Sequence, residues 1–79
     1  MQLTIKTFGI TSEIMGGKTV SFDVAGNTVS DLRKALSAKY PALNKLNSLF
    51  IAVNRAYAED ATMLKETDEI ALIPPVSGG

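Results

Sequence analysis

Chemistry in this chain is concentrated in its last four residues, Val76-Ser77-Gly78-Gly79, because the usual catalytic side chains are missing from the rest. Neither cysteine nor histidine occurs among the 79 residues. That excludes a disulfide framework, a thiol nucleophile, a thiolate or imidazole zinc site and a Ser-His or Cys-His pair. What remains is the α-carboxylate of Gly79, read as the chain's end. With an ordinary pKa of about 3.3–3.7 it is ionised at neutral pH and resists nucleophilic attack. To react it must become an acyl-phosphate or acyl-adenylate, which calls for an enzyme that uses ATP. The chain has no phosphate loop of its own: Gly16-Gly17-Lys18 lacks the required glycine further back, so Lys18 reads as an ordinary strand-edge residue.

A terminal Gly-Gly alone is a weak signal, since termini fray. Its context strengthens it. Pro74 and Pro75 stiffen the chain into an extended exit, and side chains then shrink from Val76 through Ser77 to none at Gly78 and Gly79. Four extended residues reach about 14 Å at most. The result is a bare rod that fits a channel too narrow for a Cβ.

The elements that must hold this rod follow from periodicity. Residues 1–8 alternate as a half-buried strand, with Met1, Leu3 and Ile5 on one side and Gln2, Thr4 and Lys6 on the other. Val20, Phe22 and Val24 repeat the pattern after Gly16-Gly17, which predicts an antiparallel hairpin around a tight glycine turn. Thr28 with Asp31 has the form of a capping box, and Val29, Leu32, Ala35, Leu36 and Tyr40 follow at helical spacing up to Pro41. Leu49–Val53 is an apolar run of central-strand type, and Asn54–Tyr57 turns or pairs briefly. A polar connection from Glu59 to Asp68, pinned by Met63 and Leu64, leads to a last strand, Glu69–Ile73, that Pro74-Pro75 ends. The reading is α+β: a mixed sheet of four to five strands, β-β-α-β-(β)-β, with one main helix on one face. Residues 1–75 form the domain and 76–79 a flexible tail.

Balanced charge, eight basic against eight acidic residues, argues against a nucleic-acid partner. Both long apolar stretches are shorter than the roughly 20 residues of a membrane span, and no basic-then-apolar leader begins the chain, so the expected location is cytoplasmic.

The stretch Asp68-Glu69-Ile70-Ala71-Leu72-Ile73-Pro74-Pro75-Val76-Ser77-Gly78-Gly79 resembles the small subunits of molybdopterin synthase, the MoaD type within the MoaD/ThiS sulfur carriers, whose fold is the ubiquitin-like β-grasp. Phe8-Gly9 with Glu13 and Gly16 resembles the family's first hairpin, and Ala52-Val53-Asn54 its central strand. Ser12 stands where members often carry Arg, and Thr67-Asp68 where they often carry Gly-Asp.

The resemblance implies that an adenylating, E1-like partner uses ATP to activate Gly79, which then becomes a thiocarboxylate. The tail would enter the large subunit of the synthase, in a heterotetramer, and deliver sulfur to cyclic pyranopterin monophosphate. Gly78 would give access, and Pro74, Pro75, Val76 and Ser77 would line the shared groove. This chain would bind no cofactor or metal and have no independent active site. Two alternatives are a sulfur carrier for another pathway, such as thiamin biosynthesis, or a ubiquitin-like modifier joined to lysines. A third is a passive β-grasp interaction module.

A single helix covers only one sheet face. Phe8 falls on the parity of Gln2, Thr4 and Lys6, and the last strand is apolar on both sides. The open face is therefore expected to show Phe8, Phe50 or Ile51, and Ile73 as a docking patch for both partners. Arg33, Lys34, Lys39, Lys45 and Arg55 read as a solvated basic set. Glu59, Asp60, Glu66, Asp68 and Glu69 form an acidic segment that either faces solvent or meets a basic partner surface.

Overall fold

The structure, a computed structural model, describes residues 1–75; Val76, Ser77, Gly78 and Gly79 lie outside the described residues. Alternation in β1 (Gln2–Thr7) sends Leu3, Ile5 and Thr7 inward and leaves Gln2, Thr4 and Lys6 exposed. β2 (Thr19–Asp23) pairs with it antiparallel, setting Leu3 opposite Phe22 and Ile5 opposite Val20. The expected hairpin is thus present, but no tight glycine turn joins it. A short helix, α1 (Ile10–Met15), fills the connection, and Gly16, at φ 81°, caps the C-terminus of α1. Thr11 and Met15 explain the helix: both are buried and close the end of the core, which a two-residue turn would leave open.

The capping box that opens α2 (Val29–Lys39) is complete. The Asp31 N–H donates to the Thr28 hydroxyl at 3.1 Å, and the Asp31 carboxylate accepts from the N–H groups of Asn27 and Thr28 at 3.1 and 3.3 Å. The next two amides of the helix, Val29 and Ser30, donate to the carbonyls of Thr62 and Asp60, both at 3.0 Å. These bonds satisfy N–H groups that a helix start otherwise leaves unpaired. Val29, Leu32 and Leu36 are buried on one side of α2. The helix stops at Tyr40, ahead of Pro41, and a 3-10 turn over Pro41–Lys45 adds Leu43 to the core.

β3 (Phe50–Val53) and β4 (Ala56–Tyr57) form a hairpin whose turn residues, Asn54 and Arg55, both have positive φ, 51° and 71°. Such angles twist the two strands together as a two-residue hairpin requires. Asn54 then anchors the start of β5 (Ile70–Ile73). Its side-chain amide donates to Asp68 at 3.0 Å, and its side-chain oxygen accepts from the Glu69 N–H at 2.9 Å. In the connection from Glu59 to Asp68, Leu64 is buried but Met63 is 61% exposed. Of these two apolar residues only Leu64 pins the segment by burial. The backbone of Met63 bridges to Thr28, and alternation turns its side chain away from the core.

The sheet order is β2-β1-β5-β3-β4. β1 and β5, from opposite ends of the chain, lie parallel with Ile5 opposite Ile70 and Thr7 opposite Leu72. β3 lies antiparallel on the other side of β5. With the core of α2 packed across one face, this is the ubiquitin-like β-grasp. No helix of the described residues is long and apolar enough to cross a membrane.

Removing the cap hydroxyl with Thr28→Ala should cost about 1 kcal/mol in chemical denaturation. The bond from the Thr28 hydroxyl, followed by those from the Asn27 and Thr28 amides, holds the Asp31 carboxyl below the usual aspartate value. A carboxyl depressed in the folded state contributes stability that is full above its unfolded value and is lost as pH falls through its folded value. Asp31→Asn should therefore flatten the decline of Tm below about pH 4. A Tm–pH curve as steep as wild type would assign that decline to other carboxylates.

Candidate functional site

One sheet face is covered by α2; the other is open and divides into two halves. Gln2, Thr4, Ser21 and Asp23 make one half polar. Toward the end where β5 leaves the sheet, the register sets Phe50 opposite Ile73 and Ala52 opposite both Ala71 and Tyr57. Phe8 follows β1 at this same end. Phe8, Phe50 and Tyr57 are 49%, 48% and 70% exposed, while Ile73 is half-buried. Ile51, the alternative to Phe50, is buried against Leu72 on the helix side. Tyr57 belongs with this apolar stripe, since its ring stacks on Phe50 with centroids 5.2 Å apart. Sequence reasoning left Tyr57 out. The Asn-Arg turn was its signal, because a two-residue loop sets Tyr57 across from Ala52 and beside Phe50.

The backbone of Phe8 is held by Thr11, which is fully buried. The Phe8 N–H donates to the Thr11 hydroxyl at 2.8 Å, and that hydroxyl donates to the Phe8 carbonyl at 2.7 Å. Beneath it the Thr7 hydroxyl donates to the Gly17 carbonyl and meets the Ser12 hydroxyl at 2.9 Å. Phe8 is thus fixed at both its amide and its carbonyl.

Gly9 comes next, at φ 54° and ψ −128°, the mirror image of extended backbone and a conformation natural only to glycine. A Cβ on Gly9 would lie 3.6 Å from the Pro74 Cγ, so the bare backbone here borders the first residue of the tail exit. β5 ends at Ile73 and Pro74-Pro75 carries the chain out of the sheet, as the sequence predicts. Pro74 and Pro75 are half-buried; the tail positions Val76, Ser77, Gly78 and Gly79 lie outside the described residues.

Most acids of the Glu59–Glu69 segment are tied to specific neighbours. Glu69 pairs with Lys6 at 3.6 Å and with Arg55 at 3.9 Å. Asp60 pairs with Arg33 at 3.4 Å, and Glu66 accepts from the Gln2 amide at 3.0 Å. The Asn54 side chain, then the Lys65 amide, hold the Asp68 carboxyl below the usual range. Four acids of the segment, Asp60, Glu66, Asp68 and Glu69, are therefore tied to in-chain partners on several elements. In the basic set, Arg33 donates to the Leu49 carbonyl at 2.7 Å, and Lys39 lies 5.7 Å from the Phe22 ring centroid. Among the described residues no group of three or more acidic, His or Cys side chains could hold a metal ion.

A model of the ThiS family matches residues 5–79. The chain is 34% identical over 83 residues to the molybdopterin synthase sulfur carrier subunit of Chlamydomonas reinhardtii, covering 100% of both. Its fold superposes on SAMP1 from Haloferax volcanii with a TM-score of 0.80 at 32% identity, again over 100% of both chains. It also resembles a chain in the complex of subunits 1 and 2 of the molybdopterin-converting factor from Helicobacter pylori 26695. That match has 29% identity and a TM-score of 0.67, and covers 100% of both chains.

Gly9→Ala should place a side chain on backbone that disfavours it, costing about 1–3 kcal/mol in chemical denaturation. The NMR signals of Phe8 and Pro74 should move with it. A variant as stable as wild type, with both residues unshifted, would remove Gly9 as the determinant of this corner.

Proposed function

The chain belongs to the ThiS family, and from that membership we propose that it is the sulfur-carrier subunit of a molybdopterin synthase. The observation that carries this reading is the placement of β5. The strand lies parallel beside β1 through Leu72, ends at Ile73 opposite Phe50, and releases Pro74-Pro75 at the apolar end of the open face, ahead of Val-Ser-Gly-Gly. The reading is supported by two relatives, from an alga and a plant, that match all of this chain over 100% and 84% of their own length and are molybdopterin synthase sulfur carrier subunits.

In this reading an E1-like partner binds ATP, and the Gly79 carboxylate displaces pyrophosphate to form an acyl-adenylate. Sulfur at the sulfide level, as hydrosulfide, then attacks the acyl carbon, displaces AMP and, on loss of its proton, leaves a thiocarboxylate. The tail enters the large subunit, where its sulfur passes to cyclic pyranopterin monophosphate and water restores the carboxylate. The folded body binds and orients; it holds no cofactor and supplies no acid or base. Phe8, Phe50 and Ile73, with Tyr57, anchor each partner in turn. Pro74, Pro75, Val76 and Ser77 run along the shared groove, and Gly78 lets the end pass. Assembly with the large subunit is a heterotetramer, and dependence on ATP suits a cytoplasmic exchange.

Likeness to a small archaeal modifier protein supports a second reading, in which the activated Gly79 is joined to protein amines. Intact-mass spectrometry after incubation with the adenylating enzyme, ATP and a sulfur donor separates the two. Exchange of one oxygen for sulfur at Gly79 supports the carrier, and conjugates to lysine support the modifier. An unmodified chain would sink both. Deleting Gly79, or adding one residue after it, should abolish sulfur transfer with Tm unchanged.

Phe8→Asp should weaken large-subunit binding by about tenfold or more, the loss expected of an aromatic anchor. Unchanged affinity in a folded Phe8→Asp variant would rule Phe8 out as an anchor.

A further inference from the structure

Beside the apolar stripe lies an open depression of about 410 Å³, walled by Lys6, Phe8, Gly9, Ser12, Lys18 and Thr19. Phe8 borders both the stripe and the depression, and Gly9 links the depression to Pro74 at the tail exit. A partner lying across the stripe therefore reaches over this depression. Its walls carry two ammonium groups and no carboxylate; Glu13, the acid of α1, is not among them.

The local charge is unbalanced. Lys6 and Arg55 share the single carboxylate of Glu69, while Lys18 forms no ion pair among the described residues. The floor adds acceptors rather than donors. The Thr7 hydroxyl gives its proton to the Gly17 carbonyl, so the Ser12 hydroxyl must donate to Thr7 and shows only lone pairs outward. The side-chain donors able to meet a ligand charge are thus the two lysines and the Thr19 hydroxyl, of which only the lysines carry charge.

We propose that this depression is an acid-recognition site. It receives an Asp or Glu side chain of the partner that docks on the stripe, with Lys18 as the principal counter-charge and Lys6 as the second. This deepens the sulfur-carrier reading and rests on it. Complementary charge at the margin of an apolar interface fixes register and speeds association more than it adds affinity. In this protein it would fix the rotation of the carrier about the stripe, and with it the line along which the tail points.

The test is titration calorimetry and stopped-flow association with the cognate large subunit at low and high salt. It compares wild type, Lys18→Glu, the double variant Lys6→Gln with Lys18→Gln, and Lys45→Glu as a charge control on the 3-10 turn. At low salt, Lys18→Glu should weaken binding about tenfold or more, mainly through slower association. The double variant should show a flatter dependence on salt, and Lys45→Glu should stay within about twofold of wild type.

Two results would overturn the proposal: Lys18→Glu binding as wild type does, or Lys45→Glu losing as much as Lys18→Glu. Failure of the wild type itself to bind would remove the sulfur-carrier reading and this occupant together. Loss confined to the lysine variants could not be mistaken for that.

Discussion

Two parallel strands cannot be joined by a tight turn, so seating β1 beside β5 obliges the chain between Thr7 and Ile70 to leave the sheet, cross a face and return. α2 makes that crossing and buries Val29, Leu32 and Leu36. At the seam Ile5, Ile70 and Leu72 are wholly excluded from solvent. Register then determines the rest. With Thr7 opposite Leu72, the residue after β1 comes out level with the end of β5, so Phe8-Gly9 and Ile73-Pro74 share one corner. A slip of one residue would turn Ile70 and Leu72 to the open face and move the tail exit away from Phe8.

One helix on five strands leaves a face that the chain cannot cover from its own resources. The polar half of that face needs no cover. The other half keeps two phenylalanines, a tyrosine and Ile73 at the surface, where burial would be worth roughly 25 cal/mol per Å² of apolar area. Stacking between Phe50 and Tyr57 recovers part of this, about 0.5–1.5 kcal/mol for an aromatic pair. Nothing in the fold requires aromatic residues at these positions, since Ala52 and Ala71 serve as well in the neighbouring row of the same face. The hydrogen bonds of Thr11 make the same point: a fully buried side chain is committed to fixing the backbone of an exposed phenylalanine. Holding an apolar residue outward is sensible when another surface is to cover it.

Sequence carried the local signals well and the long-range ones poorly. The capping box at Thr28 and Asp31, the helix up to Pro41 and the alternation of β1 and β2 depend on residues a few positions apart, and each was legible. Gly16-Gly17 misled because two glycines fit a hairpin turn and a helix C-cap equally; burial of Thr11 and Met15 decides between them, and burial is a tertiary property. Whether Phe50 or Ile51 faces outward likewise depends on which strand β3 joins. An apolar run has no period to show it, and pairing with β5 settles it. Met63 and Leu64 looked equivalent until the bridge to Thr28 fixed their parity. Of the proposed site, Phe8, Phe50, Ile73 and the tail are named from sequence, whereas Tyr57 and the depression beside them are not. Lys6 lies on β1 and Lys18 just ahead of β2, and the two meet only through the pairing of β1 with β2.

In the sulfur-carrier reading, a body without cysteine or histidine that supplies no catalytic group of its own also faces a limit on how it can direct a reaction cycle. In that reading, exchanging one oxygen for sulfur at Gly79 would change no residue of the stripe or of the lysine-lined depression. A ligand shifts an equilibrium only by the difference in its affinity for two states. Contacts to the body would be the same in both states and therefore could not tell an activating partner that its work is done. They would supply uniform affinity, and discrimination between carboxylate and thiocarboxylate would have to arise where the partner touches the last atoms. The two partners would also compete for the same corner, because Phe8, Gly9 and Pro74 admit one neighbour at a time. The order of the cycle would then be set by contacts to a single atom, with the folded body holding both partners to the same line of approach.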